Sequence, residues 1–461
     1  MPQDTHSPLL TDFYQFTMAQ GYFRLGWHER RASFHLNFRS NPFRDHYAIC
    51  CGLQTVADYV AHWHFSKDDL AYLAGLKSTA HHPLFQKDFL DYLSQLTFSC
   101  HLDAMPEGTV VFPHEPLLRI EGSLLQCQLL ESMLLNTINF QTLIATKASR
   151  IIKAAQGDPV IEFGMRRAQG TDGALSASRA AYIGGCTATS NVRAGQLFDI
   201  PVRGTHAHSW VVAFPDEAAA FKAYIDTHPE DCILLVDTYD TLTGVKHAIV
   251  AGHQLRARGF DLLGIRLDSG DLLDLSKQAR QLLDEAGFTN TQILASNSLN
   301  EEIIQRLKKQ GAPINAWGVG TQLVTAYDCA ALDGVYKLSA LQDAKGKWEY
   351  KIKLSEEPLK ISNPGRHQVK RIIQGNHFLK DVIYDLELGM TDYPESAADL
   401  LQPIFREGKR VLPTESIHAG RERALMQLSQ FEASPHIAPY PVELEPKLHA
   451  LKTRLRRERQ G

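Results

Sequence analysis

From residue 160 to residue 338 short apolar runs recur at 160–163, 201–203, 233–236, 262–267, 292–295, 314–317 and 335–338. Most are followed by a stretch with helical spacing of apolar residues, as at 271–286 and 300–310. Such a strand–helix cadence implies a parallel sheet, either open or closed into a barrel. The chemically unusual residues cluster just past the strands: EFGMRR (162–167), GTHAHS (204–209), VDTYDT (236–241), IRLDSGD (265–271), ASNS (295–298) and GVGT (318–321). An open sheet concentrates its ligands at one switch point, whereas a barrel carries its site on all the C-terminal strand ends. Decoration at so many ends therefore favours a barrel. No P-loop and no strand-linked G-x-G-x-x-G occurs, so any nucleotide is bound without those devices.

Outside the cadence the rhythm changes. Residues 31–39 alternate like a strand, 68–96 carry helical spacing, and 131–155 read as one long helix stopped by Gly157-Asp158-Pro159. Residues 346–355 look like half a hairpin, and the last hundred residues mix α and β and end in a basic helix, a solvated face. The expected divisions are 1–135, 136–350 and 351–461. Of 461 residues 44% are apolar, and 48 Lys and Arg against 52 Asp and Glu leave a net charge of −4. That excludes a disordered chain and gives no basic field for nucleic acid, while anionic small molecules remain open. Seven cysteines include no C-x-x-C pair, which fits free thiols in a reducing compartment better than a disulfide framework. The N-terminus lacks the charged and apolar regions of a signal peptide, and no apolar run reaches the ~18 residues of a membrane span. The cytoplasm is the expected location.

Each decorated end admits a chemical and a plain reading. Gly318 and Gly320 could turn backbone N–H groups toward a phosphate beside the Thr321 hydroxyl, or simply make a tight turn. Arg266, Asp268 and Asp271 suit an anion, ribose hydroxyls or a hydrated divalent ion; equally, they could be an ion pair that opens a helix. His206-x-His208 on extended chain projects both imidazoles to one face, suiting metal ligation or phosphoryl acceptance with a carboxylate such as Asp237 fixing the tautomer. Its plain alternative is a hydrogen-bonded core histidine. Phe163 with Arg166 and Arg167 suits a flat, anionic heteroaromatic acid, or Phe163 is core.

Taken together, LLTDFYQFTMAQGYF (9–23), EFGMRRAQG (162–170), GGCTATSNV (184–192), GTHAHSW (204–210), DTYDT (237–241), IRLDSGDL (265–272), GVGT (318–321) and KLSEEPLKISNPGRHQVKR (353–371) resemble, in order, the nicotinate phosphoribosyltransferase family. The resemblance implies an α/β fold with the incomplete (β/α) barrel of the type II phosphoribosyltransferases. An α/β sandwich domain is formed by the N-terminal region with the C-terminal chain packing beside it. It implies joining nicotinate to 5-phosphoribosyl-1-pyrophosphate, with ATP hydrolysis coupled, to give nicotinate mononucleotide and pyrophosphate for NAD biosynthesis. The resemblance also implies Mg²⁺ held mostly by pyrophosphate and water, and a homodimer with composite active sites. From charge balance and the lack of a long apolar run, neither nucleic acid nor membrane is an expected partner.

By the same resemblance His208 is transiently phosphorylated, with Asp237 as its orienting carboxylate. Phe163 stacks on the pyridine ring, and Tyr14 of the partner subunit covers the other face. Arg166 faces the carboxylate and phosphate region, and Arg266 and Asp268 hold base and ribose. Gly318, Gly320 and Thr321 form the 5′-phosphate loop, and Thr205 and Ser296 complete the substrate-binding set. Thr187 stands where nicotinamide-using relatives carry an Asp; a hydroxyl can donate to a carboxylate that an Asp would repel. The rival readings are a nicotinamide- or quinolinate-using phosphoribosyltransferase, a metal-dependent barrel hydrolase, and a non-catalytic pyridine-nucleotide binder. Quinolinate use would need no phosphohistidine. The hydrolase would need more histidines than strand ends bearing Asp237, Asp268 and Asn297 supply.

Overall fold

A computed structural model of the chain describes residues 6–357, 360–390, 397–435 and 437–460. Pro358 and Leu359 of the 353–371 motif, the first five residues and Gly461 lie outside the described residues. The chain forms two compact units, one of residues 1–143 with 331–461 and one of residues 144–330. The boundary falls inside the helix Glu131–Ala155, which has the bounds its sequence periodicity predicts.

The first unit is built on a seven-stranded antiparallel sheet. Its order is Trp348–Tyr350, Gly334–Gln342, Arg31–Phe38, Leu118–Ser123, His101–Ala104, Gln402–Arg406 and Lys409–Arg410. A four-stranded sheet, centred on the hairpin His367–Gln374 and His377–Asp385, belongs to the same unit. In Arg31–Phe38 the apolar set Ala32, Phe34, Leu36 and Phe38 enters the core, as the alternation predicts. The polar set is buried as well: His35 stacks on His367 at 4.2 Å between ring centroids, and its Nδ1 meets the Ser339 hydroxyl at 2.8 Å. Both faces of this central strand are therefore covered. Residues 68–96 make two helices, Lys67–Gly75 and Lys87–Ser94, because the intervening chain turns back through a Lys77–Pro83 bridge.

The second unit is a curled, wholly parallel sheet in the order Ala188–Thr189, Val160–Glu162, Ala316–Val319, Gln292–Ala295, Gly264–Leu267, Ile233–Leu235. Val202 adds a single parallel bridge to Thr189, and this edge does not pair with Ile233–Leu235. The barrel is incomplete there. One expectation changes, and one unexpected strand is added. The run at 335–338 belongs to Gly334–Gln342, which pairs with Arg31–Phe38, so the barrel unit ends at Ala330 rather than near 350. The strand Ala188–Thr189, too short to show periodicity, takes a place in the sheet. Four of the helices that follow strands in this unit start on a polar cap, Asn191, Asp240, Asp271 and Asn300, whose side chains accept from first-turn N–H groups. Such caps contribute about 0.5–2 kcal/mol each and pin the strand-end loops that carry the site.

Candidate functional site

At the C-terminal ends of these strands a cavity of about 290 Å³ is lined by Phe163, Arg166, Thr205, His208, Arg266 and Asp268, together with Met165, Ser190, Gly204, Ala207 and Leu235. Arg266 stands at its centre. Its guanidinium donates to Ser296 Oγ (2.9 Å), Thr205 Oγ1 (3.0 Å) and Asp268 Oδ1 (3.0 Å), and lies 5.3 Å from the Phe163 ring centroid. Burial works against the Asp268 carboxylate, but the Ser296 hydroxyl, Arg266 and His208 outweigh it and hold its pKa below the usual range. A fixed anion thus sits beside a fixed cation and an aromatic face.

Phe163 is aimed by its neighbours. A Cβ on Gly318 would stand 2.6 Å from the ring, so this glycine makes room for an aromatic side chain. Gly318 lies within the strand Ala316–Val319, not in a loop, which corrects its reading as a phosphate-cradling turn. Gly320 does follow the strand, with Thr321 opening the short helix Thr321–Val324. Beneath Phe163, the fully buried Glu162 accepts from the Gly164 N–H, from Ser178 Oγ at 2.8 Å and from Thr189 Oγ1 at 2.6 Å. These bonds lock the turn that follows the first barrel strand. Glu162 was not among the expected residues; an acidic residue inside an apolar run was its one signal.

The two histidines of GTHAHS part company. His206 is 7% exposed, and its Nε2 accepts from the Leu235 N–H at 3.1 Å. Burial lowers its pKa to about 4, keeping the ring neutral and able to accept. It reaches from the 201–206 chain to the far edge strand, occupying the gap where the sheet stops pairing. His208 opens the helix His208–Val212 and its side chain is 44% exposed. The expectation that both rings share a face fails because extended chain gives way to helix at His208.

Asp237 does not meet His208 in the hydrogen-bond pattern. Its Oδ2 accepts from the Asp268 N–H (2.9 Å) and from Ser269 Oγ (2.6 Å), fixing the loop that carries Asp268. The polar atoms that meet the His208 ring are instead Thr238 Oγ1, 3.2 Å from Nδ1, and Asp268 Oδ2, 3.6 Å from Nε2. Thr238 is the next residue along in DTYDT, and in sequence a hydroxyl carries less signal than a carboxylate. Asp271, a candidate for ribose or ion, caps the helix Leu272–Glu285 instead.

Thr187 lies on a second, larger cavity of about 710 Å³ inside the barrel, which also touches Phe163 and Thr205. Its hydroxyl donates to the Val160 carbonyl at 3.1 Å. Ser296 stands behind Arg266 and Asp268, 3% exposed. Tyr14 belongs to the other unit and is 47% exposed. Among the described residues no group of three His, Cys, Asp or Glu side chains could hold a metal ion by itself. Asp237 Oδ1, however, is buried without a hydrogen-bond partner among the described residues.

The comparisons agree with the geometry. The family model for the nicotinate phosphoribosyltransferase N-terminal domain matches residues 9–139, and that for the nicotinate phosphoribosyltransferase family matches residues 159–351. The chain is 50% identical over 378 residues to the nicotinate phosphoribosyltransferase of Bacillus subtilis, covering 81% of this chain and 75% of that one. It is 32% identical to the human nicotinate phosphoribosyltransferase over 96% of both chains. The crystal structure of human nicotinic acid phosphoribosyltransferase superposes with a TM-score of 0.84 at 30% identity, over 96% of this chain and 99% of that one. The nicotinate-nucleotide pyrophosphorylase of Pyrococcus furiosus superposes with a TM-score of 0.71 at 25% identity, over 92% and 96%.

Proposed function

The chain belongs to the nicotinate phosphoribosyltransferase family, and on that premise we propose how its own residues perform the reaction. The enzyme joins nicotinate to 5-phosphoribosyl-1-pyrophosphate in NAD biosynthesis. One observation carries the assignment of roles: an aromatic face, two arginines, a fixed carboxylate and a half-buried histidine line a single cavity at the barrel's strand ends.

Nicotinate lies against Phe163, with Tyr14 of the partner subunit on its other face in a homodimer that shares its sites. Arg166 and Arg266 meet the carboxylate and phosphate charges, and Thr205 and Ser296 hold Arg266 in place. The pyridine nitrogen attacks C1′ of the sugar with its own lone pair as the C1′–pyrophosphate bond breaks, so positioning replaces a general base. Positive charge develops at C1′, and Asp268, kept ionised beside Arg266, is the anion available to stabilise it or to accept from ribose hydroxyls. Gly320 and Thr321 hold the 5′-phosphate. A bound Mg²⁺ would supply charge neutralisation of the pyrophosphate leaving group. Such an ion keeps most of its water and takes one or two carboxylates, and the unpartnered Asp237 Oδ1 fits that need.

ATP is the coupled co-substrate. With Nδ1–H donated to Thr238, the Nε2 lone pair of His208 attacks the γ-phosphorus, the bond to ADP breaks, and water later takes the phosphoryl group from the ring. Thr187 leaves room for the nicotinate carboxylate where an Asp would repel it. Among the described residues no helix is long and apolar enough to cross a membrane, and the cytoplasm is the proposed location.

The test is formation of nicotinate mononucleotide dependent on nicotinate and stimulated by ATP. Incubation with γ-labelled ATP should leave an acid-labile, base-stable phosphoryl adduct. His208→Ala should abolish adduct and coupled ATPase while slow ATP-independent synthesis survives. An adduct that persists in that variant, or maps to His206, defeats the assignment.

A further inference from the structure

Lys147, on the helix Glu131–Ala155, is fully buried, and nothing in the chemistry above uses it. Its Nζ lies 2.8 Å from Glu301 Oε2 and 2.7 Å from Asp328 Oδ2. A buried ammonium is tolerated only where carboxylates meet it, so this contact is built in rather than incidental. The two carboxylates come from different strand-end loops. Glu301 opens the helix Glu301–Lys309, just after Ser296 and the ASNS turn. Asp328 follows Gly320, Thr321 and the short helix Thr321–Val324.

Both loops need holding. Asn297 (φ 92°) and Ser298 (φ 50°) in the first and Ala326 (φ 45°) in the second adopt left-handed backbone that side chains other than glycine disfavour. Val324 packs where a Cβ on Gly164 would stand, so a shift of the second loop reaches the turn after Phe163. Glu301 has a second cation, Arg150, at 2.8 Å. Burial opposes its ionisation, but Lys147 and then Arg150 outweigh that and hold its carboxyl below the usual range.

We propose that Lys147 is a positioning residue for 5-phosphoribosyl-1-pyrophosphate: its ammonium ties the Ser296 loop to the Gly320–Thr321 loop and keeps them in one arrangement. This rests on reading Gly320 and Thr321 as the 5′-phosphate loop. Because Glu301 retains Arg150 and the Asp328 side chain is 49% exposed, losing the tie should loosen the second loop without unfolding the unit.

Lys147→Met keeps the apolar stem and removes the charge, and Asp328→Asn weakens one arm from the solvent side. Hydrogen exchange over 321–330 should quicken in both. KM for 5-phosphoribosyl-1-pyrophosphate should rise roughly tenfold in Lys147→Met, with KM for nicotinate changed less than about twofold. The double variant should be no worse than Lys147→Met alone, since both break one tie. Additive losses would overturn the proposal, as would a lower Tm with unaltered KM values, the signature of a merely structural lysine. Thr321→Val separates the two layers of argument. If it raises KM for 5-phosphoribosyl-1-pyrophosphate and Lys147→Met does not, the phosphate loop stands and the tie fails. If Lys147→Met quickens exchange but neither variant moves that KM, the phosphate-loop reading falls and takes this role with it.

Discussion

At the scale of single residues, one histidine, His206, and one threonine, Thr187, can be tested directly. His206 has its pKa lowered to about 4 by burial, against an ordinary value near 6.5. The unfolded chain therefore binds the extra proton first, and stability falls as pH drops from about 6.5 toward 4. His206→Gln can still accept from Leu235 but cannot titrate. The acid-side loss should then shrink by about 2 kcal/mol between pH 7 and pH 5, read as the difference between variant and wild type in urea unfolding. Comparing the two proteins removes the contribution of His367, which burial also lowers to about 4 in both. An unchanged slope would mean that His206 is not the neutral acceptor across the barrel gap. Thr187 has its hydroxyl committed to the Val160 carbonyl, so the role proposed for it in base choice rests on its lack of charge rather than on a donated hydrogen bond. Thr187→Asp should raise KM for nicotinate at least about tenfold, each factor of ten corresponding to about 1.4 kcal/mol. An unaltered KM would remove Thr187 from the base pocket.

At the scale of elements, the strand Ala316–Val319 and the residue that follows it do two jobs with two glycines, Gly318 and Gly320. Gly318 faces the Phe163 ring and Gly320 the Phe163 carbonyl, where an added Cβ would stand 3.1 Å from the oxygen. Gly318→Ala must displace the ring, and kcat/KM for nicotinate should fall roughly 10- to 100-fold while far-UV circular dichroism is preserved. Gly320→Ala should act more on 5-phosphoribosyl-1-pyrophosphate than on nicotinate. Steady-state kinetics with each substrate varied in turn would expose a reversal of that order, which would assign the two glycines wrongly. The helices behind the strands contribute through their caps. Asp271 illustrates this, since its carboxylate accepts from Leu273 N–H at 3.0 Å and so serves the helix rather than a ligand.

For the whole molecule the decisive question is whether one chain makes a complete site. Tyr14 lies in the first unit and Phe163 in the second, and Tyr14 keeps 47% of its surface exposed. If Tyr14 of the partner subunit covers the base, Tyr14→Ala and Phe163→Ala should each be nearly inactive alone. Subunit exchange between them should produce hybrids with one intact and one doubly damaged site. Random pairing makes half the dimers hybrid with one of two sites working, so recovery should approach roughly a quarter of wild-type activity. Complete exchange, verified by mass, without recovery would place Tyr14 in its own chain's site or outside it.

What the sequence determined by itself was whatever depends on near neighbours along the chain. The strand–helix cadence, the helix Glu131–Ala155, the strand Arg31–Phe38 and the decorated strand ends all follow from spacing, and the order of the motifs was enough to identify the family. Tertiary structure decided the partners. The strand Gly334–Gln342 reads like one more barrel strand, yet it pairs with Arg31–Phe38 far back in the chain. Neighbouring polar groups sorted themselves the same way: His206 went to the core and His208 to the cavity, and Asp237 took Ser269 while Thr238 took His208. Lys147, inside a long helix, gave no sign of its two carboxylates. Periodicity reports which face of an element is apolar, because that is a property of local geometry. Which buried polar group meets which partner depends on chain segments brought together only by the packed fold, where an unpaired charge is too costly to leave.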